Sequence, residues 1–239
     1  SSPGATRRGY RIGLEDLDRL LTVEVTGRLR GFDDAVERSA RAGPVRTAAF
    51  ASAARPRLTG TPRYYDWLTV PDPGWQPRPA TLTYQWFRDG SPMKGVVAAT
   101  YQLHGRDIGH RITVQVTGAR DGYTTTQRVS ATRGPVKEGL LDPSPRPTIR
   151  GTVAVDRYLT VAAGSWGPVP VTIAWQWYRA GSPIKGAVDS SYLLTVADLG
   201  RPISVRAVAD AEYFEARTRD AVPTARVAPG TGEPSRSHW

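Results

Sequence analysis

Residues able to do acid–base or metal chemistry are few in this chain, and none falls at a catalytic spacing. The histidines are His104, His110 and His238, and there is no cysteine. A metal site or a general base would need carboxylate or further histidine partners at ligand spacing. None is evident, so the histidines read as surface residues. Asp107 and Asp198 recur at the same turn. A short Asp at a turn bonds nearby backbone amides, and that reading takes precedence over an acid or ligand. No nucleophile elbow, phosphate-binding glycine loop or zinc-protease helix motif appears, and no carboxylate pair at glycosidase spacing can be inferred. No catalytic residue, metal site or cofactor is expected, and the chain is not expected to be an enzyme in itself. Without thiols, disulfide staples and thiolate sites are excluded.

Binding chemistry has more to work with. Arg63, Tyr65, Trp67 and Thr69 alternate along one stretch. On a single strand they share the outward face if Leu68 and Val70 point inward. Such a stripe could stack on sugar rings or bases. It serves equally as cross-strand pairing or as a seam between neighbouring repeats. Arg55, Arg57 and Arg78 lie nearby in sequence and complete the candidate ligand-binding set.

The elements that must position these residues follow from an internal repeat. Residues 56–136 align without a gap on 147–227, at an offset of 91. Shared anchors include Gly60/Gly151, Trp75/Trp166, Gln85-Trp86/Gln176-Trp177, Arg88/Arg179, Tyr101/Tyr192, Asp107/Asp198, Ile112/Ile203 and Val114/Val205. Within a repeat, Leu82, Tyr84 and Trp86 share one face of a strand, as do Ile173, Trp175 and Trp177, so the tryptophans at 86, 175 and 177 read as core. Trp75 and Trp166 recur in a turn and read as packing over one end of the domain. Asp89-Gly90 marks a tight turn. Ile112, Val114 and Val116 alternate inward, and a last strand is expected near 125–131. About seven short strands at this spacing predict a two-sheet sandwich. Residues 33–41 have some helical character, but their counterparts in the other repeats are strand-like.

The same offset carries backward. Gly4, Tyr10, Asp16, Val23, Gly27 and Gly31 fall on Gly95, Tyr101, Asp107, Val114, Gly118 and Gly122. Residues 1–45 therefore match only the second half of a repeat. Half a sandwich exposes an apolar face and unpaired edges, so another chain or a missing segment is expected to complete it. Asp18 replaces the glycine of the Asp-x-Gly turn, and Leu14 and Glu15 alter the preceding strand end, so a different turn is expected there. The expected domains are 1–45, a C-terminal half repeat; 46–136 and 137–228, full repeats; and 229–239, a flexible tail.

The strings YQWFRDGSPMKG and WQWYRAGSPIKG, followed by Tyr…Leu…Asp-x-Gly…Ile-x-Val, resemble the immunoglobulin-like tandem repeats of actinobacterial secreted and cell-surface proteins. The resemblance covers nearly the whole chain. It implies an all-β array of immunoglobulin-like β-sandwiches without disulfides, with Trp86 and Trp177 at the central core position. It also implies Leu68 or Val70 against Val114 or Val116 where such domains often place a disulfide. Such repeats serve as accessory modules beside secreted hydrolases or on surface proteins.

Composition sets the choice of partner. The formal net charge is +10, and basic residues exceed acidic ones most in 46–136. The cations are almost all arginine, which with abundant Ala, Gly and Pro fits a GC-rich genome better than selection for guanidinium chemistry. An excess of positive charge still favours polyanions. The expected partner is an anionic cell-wall polymer or polysaccharide. Nucleic acid is not favoured, because no recognition motif accompanies the charge. No apolar run approaches the ~20 residues of a membrane span. The expectation is a spacer or attachment module, secreted or at the cell surface; the alternative is the accessory carbohydrate-binding region of a glycan-active hydrolase.

Overall fold

The computed structural model describes residues 5–79 and 81–230; the expected tail and His238 lie almost wholly outside them. Among the described residues the half repeat holds β1 (Glu24–Gly27) and β2 (Ala35–Arg38). The second repeat holds β3 (Trp67–Thr69), β4 (Thr81–Arg88), β5 (Ser91–Pro92), β6 (Thr100–Gln102), β7 (Ile112–Ala119) and β8 (Thr126–Val129). The third holds β9 (Gly139–Leu140), β10 (Thr148–Arg150), β11 (Tyr158–Ala162), β12 (Thr172–Arg179), β13 (Ser182–Pro183), β14 (Ser191–Leu193), β15 (Ile203–Asp210), β16 (Phe214–Glu215) and β17 (Arg217–Asp220).

Strand order repeats with the sequence. One sheet runs β5-β4-β7-β8 in the second repeat and β13-β12-β15-β17 in the third; the facing strands are β3-β6 and β10-β11-β14. All these neighbours are antiparallel. Register is preserved as well: Trp86 stands opposite Val114 and Trp177 opposite Val205. This is a tandem, cysteine-free array of immunoglobulin-like sandwiches. Residues 35–38 form strand β2, not a helix, because their partner β1 offers an antiparallel ladder in the register that β7 and β8 also use.

Local chemistry explains the recurring strings. In Gln-Trp, the indole is buried and donates its N–H to a loop carbonyl, Trp86 to Ala98 and Trp177 to Asp189, at 2.8 Å in each. The Gln side chain bonds the adjoining hairpin: Gln85 Nε2 donates to the Trp86 and Met93 carbonyls, and Gln176 Nε2 to those of Trp177 and Ile184. At the hairpin itself, Asp89-Gly90 and Ala180-Gly181 all have positive φ, the backbone of a two-residue loop that matches strand twist. Gly60 and Gly151 sit at φ +105° and +125°, where an added Cβ would lie 2.1 Å from the Trp67 carbonyl oxygen and 2.5 Å from that of Tyr158. The glycine that opens each full repeat is thus fixed by backbone approach.

Leu68, Val70, Val114 and Val116 are all buried, as are Trp86 and Trp177. Trp175 is only half-buried and packs beside the third repeat's core of Leu159, Trp177, Leu194, Ile203 and Val205. A half-buried indole at an alternating position reflects how shallow so small a sandwich is.

A buried carboxylate ties the two sheets of the third repeat together. Asp198 accepts from Arg179 Nε on β12 at 2.6 Å, from the Tyr192 hydroxyl on β14 at 3.0 Å, and from the Thr195 N–H and hydroxyl at 2.7 and 2.9 Å. The backbone bond caps a short 3-10 turn, Val196–Asp198. Asp107 caps its turn through the His104 N–H, and Asp16 through the Gly13 N–H, each at 2.8 Å. The half repeat keeps this turn despite the expected difference. Asp18 adopts φ +62°, the left-handed conformation that Gly109 and Gly200 hold elsewhere, and a short Asp side chain tolerates it.

Contacts divide the chain into two compact units. One is Ser1–Pro62, Trp67–Gln102 and Gly109–Val136; the other is Arg63–Asp66, Leu103–Ile108 and Lys137–Trp239. The Ala- and Pro-rich stretches 46–56 and 137–147 are stitched into them and are not free linkers. Ala48 bridges Tyr123, and Ser52 exchanges backbone bonds with Gln76 in the first unit. In the second, β9 pairs in parallel with β16, and Arg219 bonds both the Ser144 carbonyl and its hydroxyl.

Burial raises the Asp198 pKa, but its bonds to Arg179, Thr195 and Tyr192 outweigh that and hold it below the usual carboxylate range. A depressed folded-state pKa contributes stability that is present above the unfolded value near ~4 and lost as pH falls through the folded value. Asp198→Asn should destabilise by about 2–3 kcal/mol at pH 7, since it removes a charge-assisted bond from a buried network. The gap to wild type should close below pH ~4, read as urea midpoints across pH 2.5–7.

Candidate functional site

The outward stripe expected over residues 63–69 is not one strand. β3 begins only at Trp67; Arg63 forms an isolated bridge with Lys137, and Tyr64 and Tyr65 make the turn that follows. Tyr65 has φ +74°, as Asp156 at the same repeat position has φ +63°. A tight turn interrupts the two-residue alternation that the sequence reading assumed.

Within the second unit, Arg63 and Tyr65 belong to a packed cluster. Arg63 Nη1 donates to the Glu138 carbonyl and to Glu215 Oε1, each at 2.8 Å. That bond, with Arg63's charge, lowers the Glu215 pKa. The Tyr64 ring meets Phe214 edge-on at 5.0 Å and Tyr213 at 5.3 Å; Tyr65 lies 6.1 Å from Phe214. Phe214, Leu141 and Ala209 form the buried centre, with Tyr64 and Trp166 packed on it. The same end cluster recurs one period earlier in the first unit, where Phe50 touches Trp75 at 5.9 Å and Tyr123 at 5.4 Å. Phe50, Trp75 and Tyr123 are the counterparts of Leu141, Trp166 and Phe214. Trp75 is buried and donates its indole N–H to the Ala54 carbonyl.

Trp67, in the first unit, is different. It sits on β3 opposite Gln102 and is 54% exposed. Its counterpart on β11, Tyr158, is 62% exposed. An exposed aromatic thus recurs at one register position of both full repeats. Arg55 and Arg57 are also exposed in the first unit. Arg78 pairs with Asp72, whose pKa is lowered by the Gly74 N–H and then by Arg78. Tyr84 is half-buried, and burial raises its pKa. His110 bonds Asp89, which lowers the Asp89 pKa along with the Arg111 N–H. Among the described residues, no group of three or more His, Asp or Glu could hold a metal ion. A shallow cavity of about 520 Å³, lined by Arg146, Thr218, Arg219 and Asp220, lies in the second unit.

The sequence reading passed over the residues that join consecutive repeats. Leu14 faces Gly122, whose Cβ would fall 2.6 Å from the Leu14 Cδ2. One period on, Gly105 faces Tyr213, and a Cβ there would lie 2.6–2.8 Å from the Tyr213 ring. Large and small have exchanged sides. Leu14 and Gly105 are counterparts, as are Gly122 and Tyr213, so compensating volumes at paired repeat positions were the available signal. Tyr213 holds φ +67° at a position that is Gly122 or Gly31 in the other copies. The strained backbone places the ring where Gly105 leaves room.

No family model matches this chain, and no curated protein matches its sequence. Among solved structures it is similar to three N-terminal domains of the highly immunogenic outer capsid protein (Hoc) of bacteriophage RB49. That likeness has 16% identity and a TM-score of 0.34, and covers 71% of this chain and 59% of the other. It is also similar to tandem Ig repeats of Dlar, with 12% identity and a TM-score of 0.24, over 74% of this chain and 97% of that one. At these scores the likenesses add nothing to the fold assignment, which rests on strand order and register. No helix of the described residues is long and apolar enough to cross a membrane.

Gly105→Ala should force the Tyr213 ring outward and destabilise by about 1–3 kcal/mol, an overpacking cost. Tyr213→Ala in the same chain should recover most of that loss. Chemical denaturation of the two single variants and the double variant reads the coupling.

Proposed function

We propose that this chain is a non-catalytic immunoglobulin-like repeat module of a secreted bacterial protein, acting as a spacer and as an attachment region for anionic wall polymer or glycan. The supporting observation is the repetition of structural parts. The Gln-Trp core, the aspartate-capped turn and the aromatic end cluster all recur one period apart. Each of these recurring groups is spent on holding a sandwich together or joining it to the next.

Charge supports a polyanionic partner. The net charge is +10, and the second repeat carries the largest basic excess, including exposed Arg55 and Arg57. Arg78 and Arg63 contribute less, being committed to Asp72 and Glu215. Attraction between exposed charges is screened over about 8–10 Å at physiological salt. Retention on isolated bacterial cell walls should therefore fall steeply between ~50 and ~300 mM NaCl. Arg55→Glu with Arg57→Glu should weaken it several-fold, measured by co-sedimentation. Equal retention on walls stripped of anionic polymer would refute the charge-based reading.

The recurring exposed pair Trp67 and Tyr158 supports the second reading, an accessory carbohydrate-binding region of a glycan-active hydrolase. Flat aromatic faces stack on the apolar faces of sugar rings. On that reading, Trp67→Ala with Tyr158→Ala should abolish pull-down by insoluble polysaccharide while leaving the wall retention of the arginine-dependent kind intact.

A further inference from the structure

Most basic positions differ between the two full repeats, but two arginines recur together. Arg55 and Arg128 of the second repeat correspond to Arg146 and Arg219 of the third. In each repeat the later arginine braces the segment that carries the earlier one. Arg128 Nε donates to the Ala53 carbonyl at 3.0 Å, and Arg219 Nε to the Ser144 carbonyl at 2.8 Å. Arg55 and Arg146 lie just beyond those carbonyls, and each is exposed and followed by a buried proline. A residue before proline is confined to extended backbone. The exposed guanidinium therefore springs from a fixed base.

In the third repeat that base is firmer still. Arg146 has a proline on each side. Pro145 lies against Gly164, where an added Cβ would fall 2.7 Å from the proline Cγ, and Pro143 lies against Gly167, with its Cδ 3.0 Å from such a Cβ. Arg219 Nη2 also donates to the Ser144 hydroxyl at 2.7 Å. Prolines remove backbone freedom that a ligand would otherwise have to freeze.

Arg146 and Arg219 line the cavity of about 520 Å³ in the second unit, together with Thr218, Asp220 and the run Ala221-Val222-Pro223. That is the volume of a small-molecule site. Asp220 is already committed to Arg206, whose Nε and Nη2 donate to its two oxygens at 2.7 and 3.1 Å. The Arg206 bond holds the Asp220 carboxyl below the usual carboxylate range, and the Arg146 charge adds to this. With Asp220 neutralised, the two arginines leave the cavity positive, and a concave positive site concentrates anions. Thr218 adds a hydroxyl, and exposed Val222 and Pro223 add an apolar wall.

This arrangement selects among anions. A planar carboxylate is satisfied by one guanidinium fork. The oxygens of a phosphate diverge and take donors from two directions, and guanidinium groups match them in geometry. Here the two arginines come from different segments of the chain. The apolar wall and the volume suit a carbon-bearing unit attached to the phosphate.

We propose that this cavity is a phosphodiester site for a sugar-phosphate or polyol-phosphate unit of an anionic polymer, with Arg219 as its fixed wall and Arg146 as the exposed arginine that pairs with the phosphate. The polymeric nature of the ligand rests on the attachment role proposed above; the site itself rests on the cavity and its arginines.

The test is an amide NMR titration of the full 239-residue chain with a short synthetic oligo(glycerol phosphate) at low salt. The amide signals of Thr218, Arg219 and Val222 should shift and saturate. Arg146→Glu, at an exposed position that does not threaten folding, should weaken this binding at least ~10-fold, the loss expected of a charge-assisted bond. Arg150→Glu, exposed in the same repeat but outside the cavity, should change it by no more than ~2-fold. An oligogalacturonate of matched charge should bind at least ~5-fold more weakly. Absence of saturable shifts would overturn the proposal. Equal losses from Arg146→Glu and Arg150→Glu, or equal affinity for the galacturonate, would overturn it too. Co-sedimentation with cell walls separates site from role. Salt-sensitive wall retention without Arg146-dependent binding of the oligomer overturns the cavity site and leaves the attachment role standing. Arg146-dependent binding of the oligomer, with equal retention on walls stripped of anionic polymer, supports the site and removes the role.

Discussion

A sandwich without cysteine must hold its two sheets in register by other means, and here a buried carboxylate does so. Asp198 is bound at once by an arginine from one sheet, a tyrosine from the other, and the backbone of its own turn. The turn fixes the carboxylate, the carboxylate fixes the arginine, and the arginine ends the strand that carries the core tryptophan. Removing the arginine from such a network is costly, because it leaves a buried charge without its counter-ion. The Trp177–Tyr192 ring stack, 5.7 Å between centroids, packs beside the same residues. Apolar burial and ionic bonding therefore act at one point of the fold.

That constraint explains why the repeat is so regular where it matters and so variable elsewhere. The arginine, tyrosine and aspartate of the clamp, the Gln-Trp pair and the opening glycine keep their residue type in both full repeats. Positions on the joining surfaces change, but in a compensated way. Leu14 with Gly122 and Gly105 with Tyr213 fill comparable space from opposite sides. The surface chemistry is freer still: His104 and His110 are unrelated in type to their counterparts Thr195 and Arg201. Function in such an array lies in which exposed residues are mounted on a fixed frame. The exposed residues on this frame include arginines in the second repeat and one aromatic position shared by both full repeats.

Much of the frame was legible in the sequence. Alternation at Leu68 and Val70, and at Ile112, Val114 and Val116, predicts buried faces because successive strand side chains point to opposite sides. The Asp-Gly pair predicts a hairpin because both residues accept positive φ. Alternation failed at residues 63–66, where a turn supplants the strand and turns Arg63 and Tyr65 into packing residues. It also overstated Trp175, whose face is apolar without being deep. In both cases the local pattern was right and the neighbours decided the outcome.

The sequence by itself determined the period, the approximate strand positions, the absence of disulfides and the match of residues 1–45 to the second half of a repeat. These follow from residue type and spacing, which govern local backbone and facing. Only the tertiary structure decided which groups meet: that Arg63 is bound to Glu215, that Tyr213 fills the space beside Gly105, and that Asp16 lies buried against the Tyr10 hydroxyl and the Gly13 N–H. Those contacts join residues distant in the chain, and their geometry depends on how whole sheets lie, a quantity no window of sequence contains.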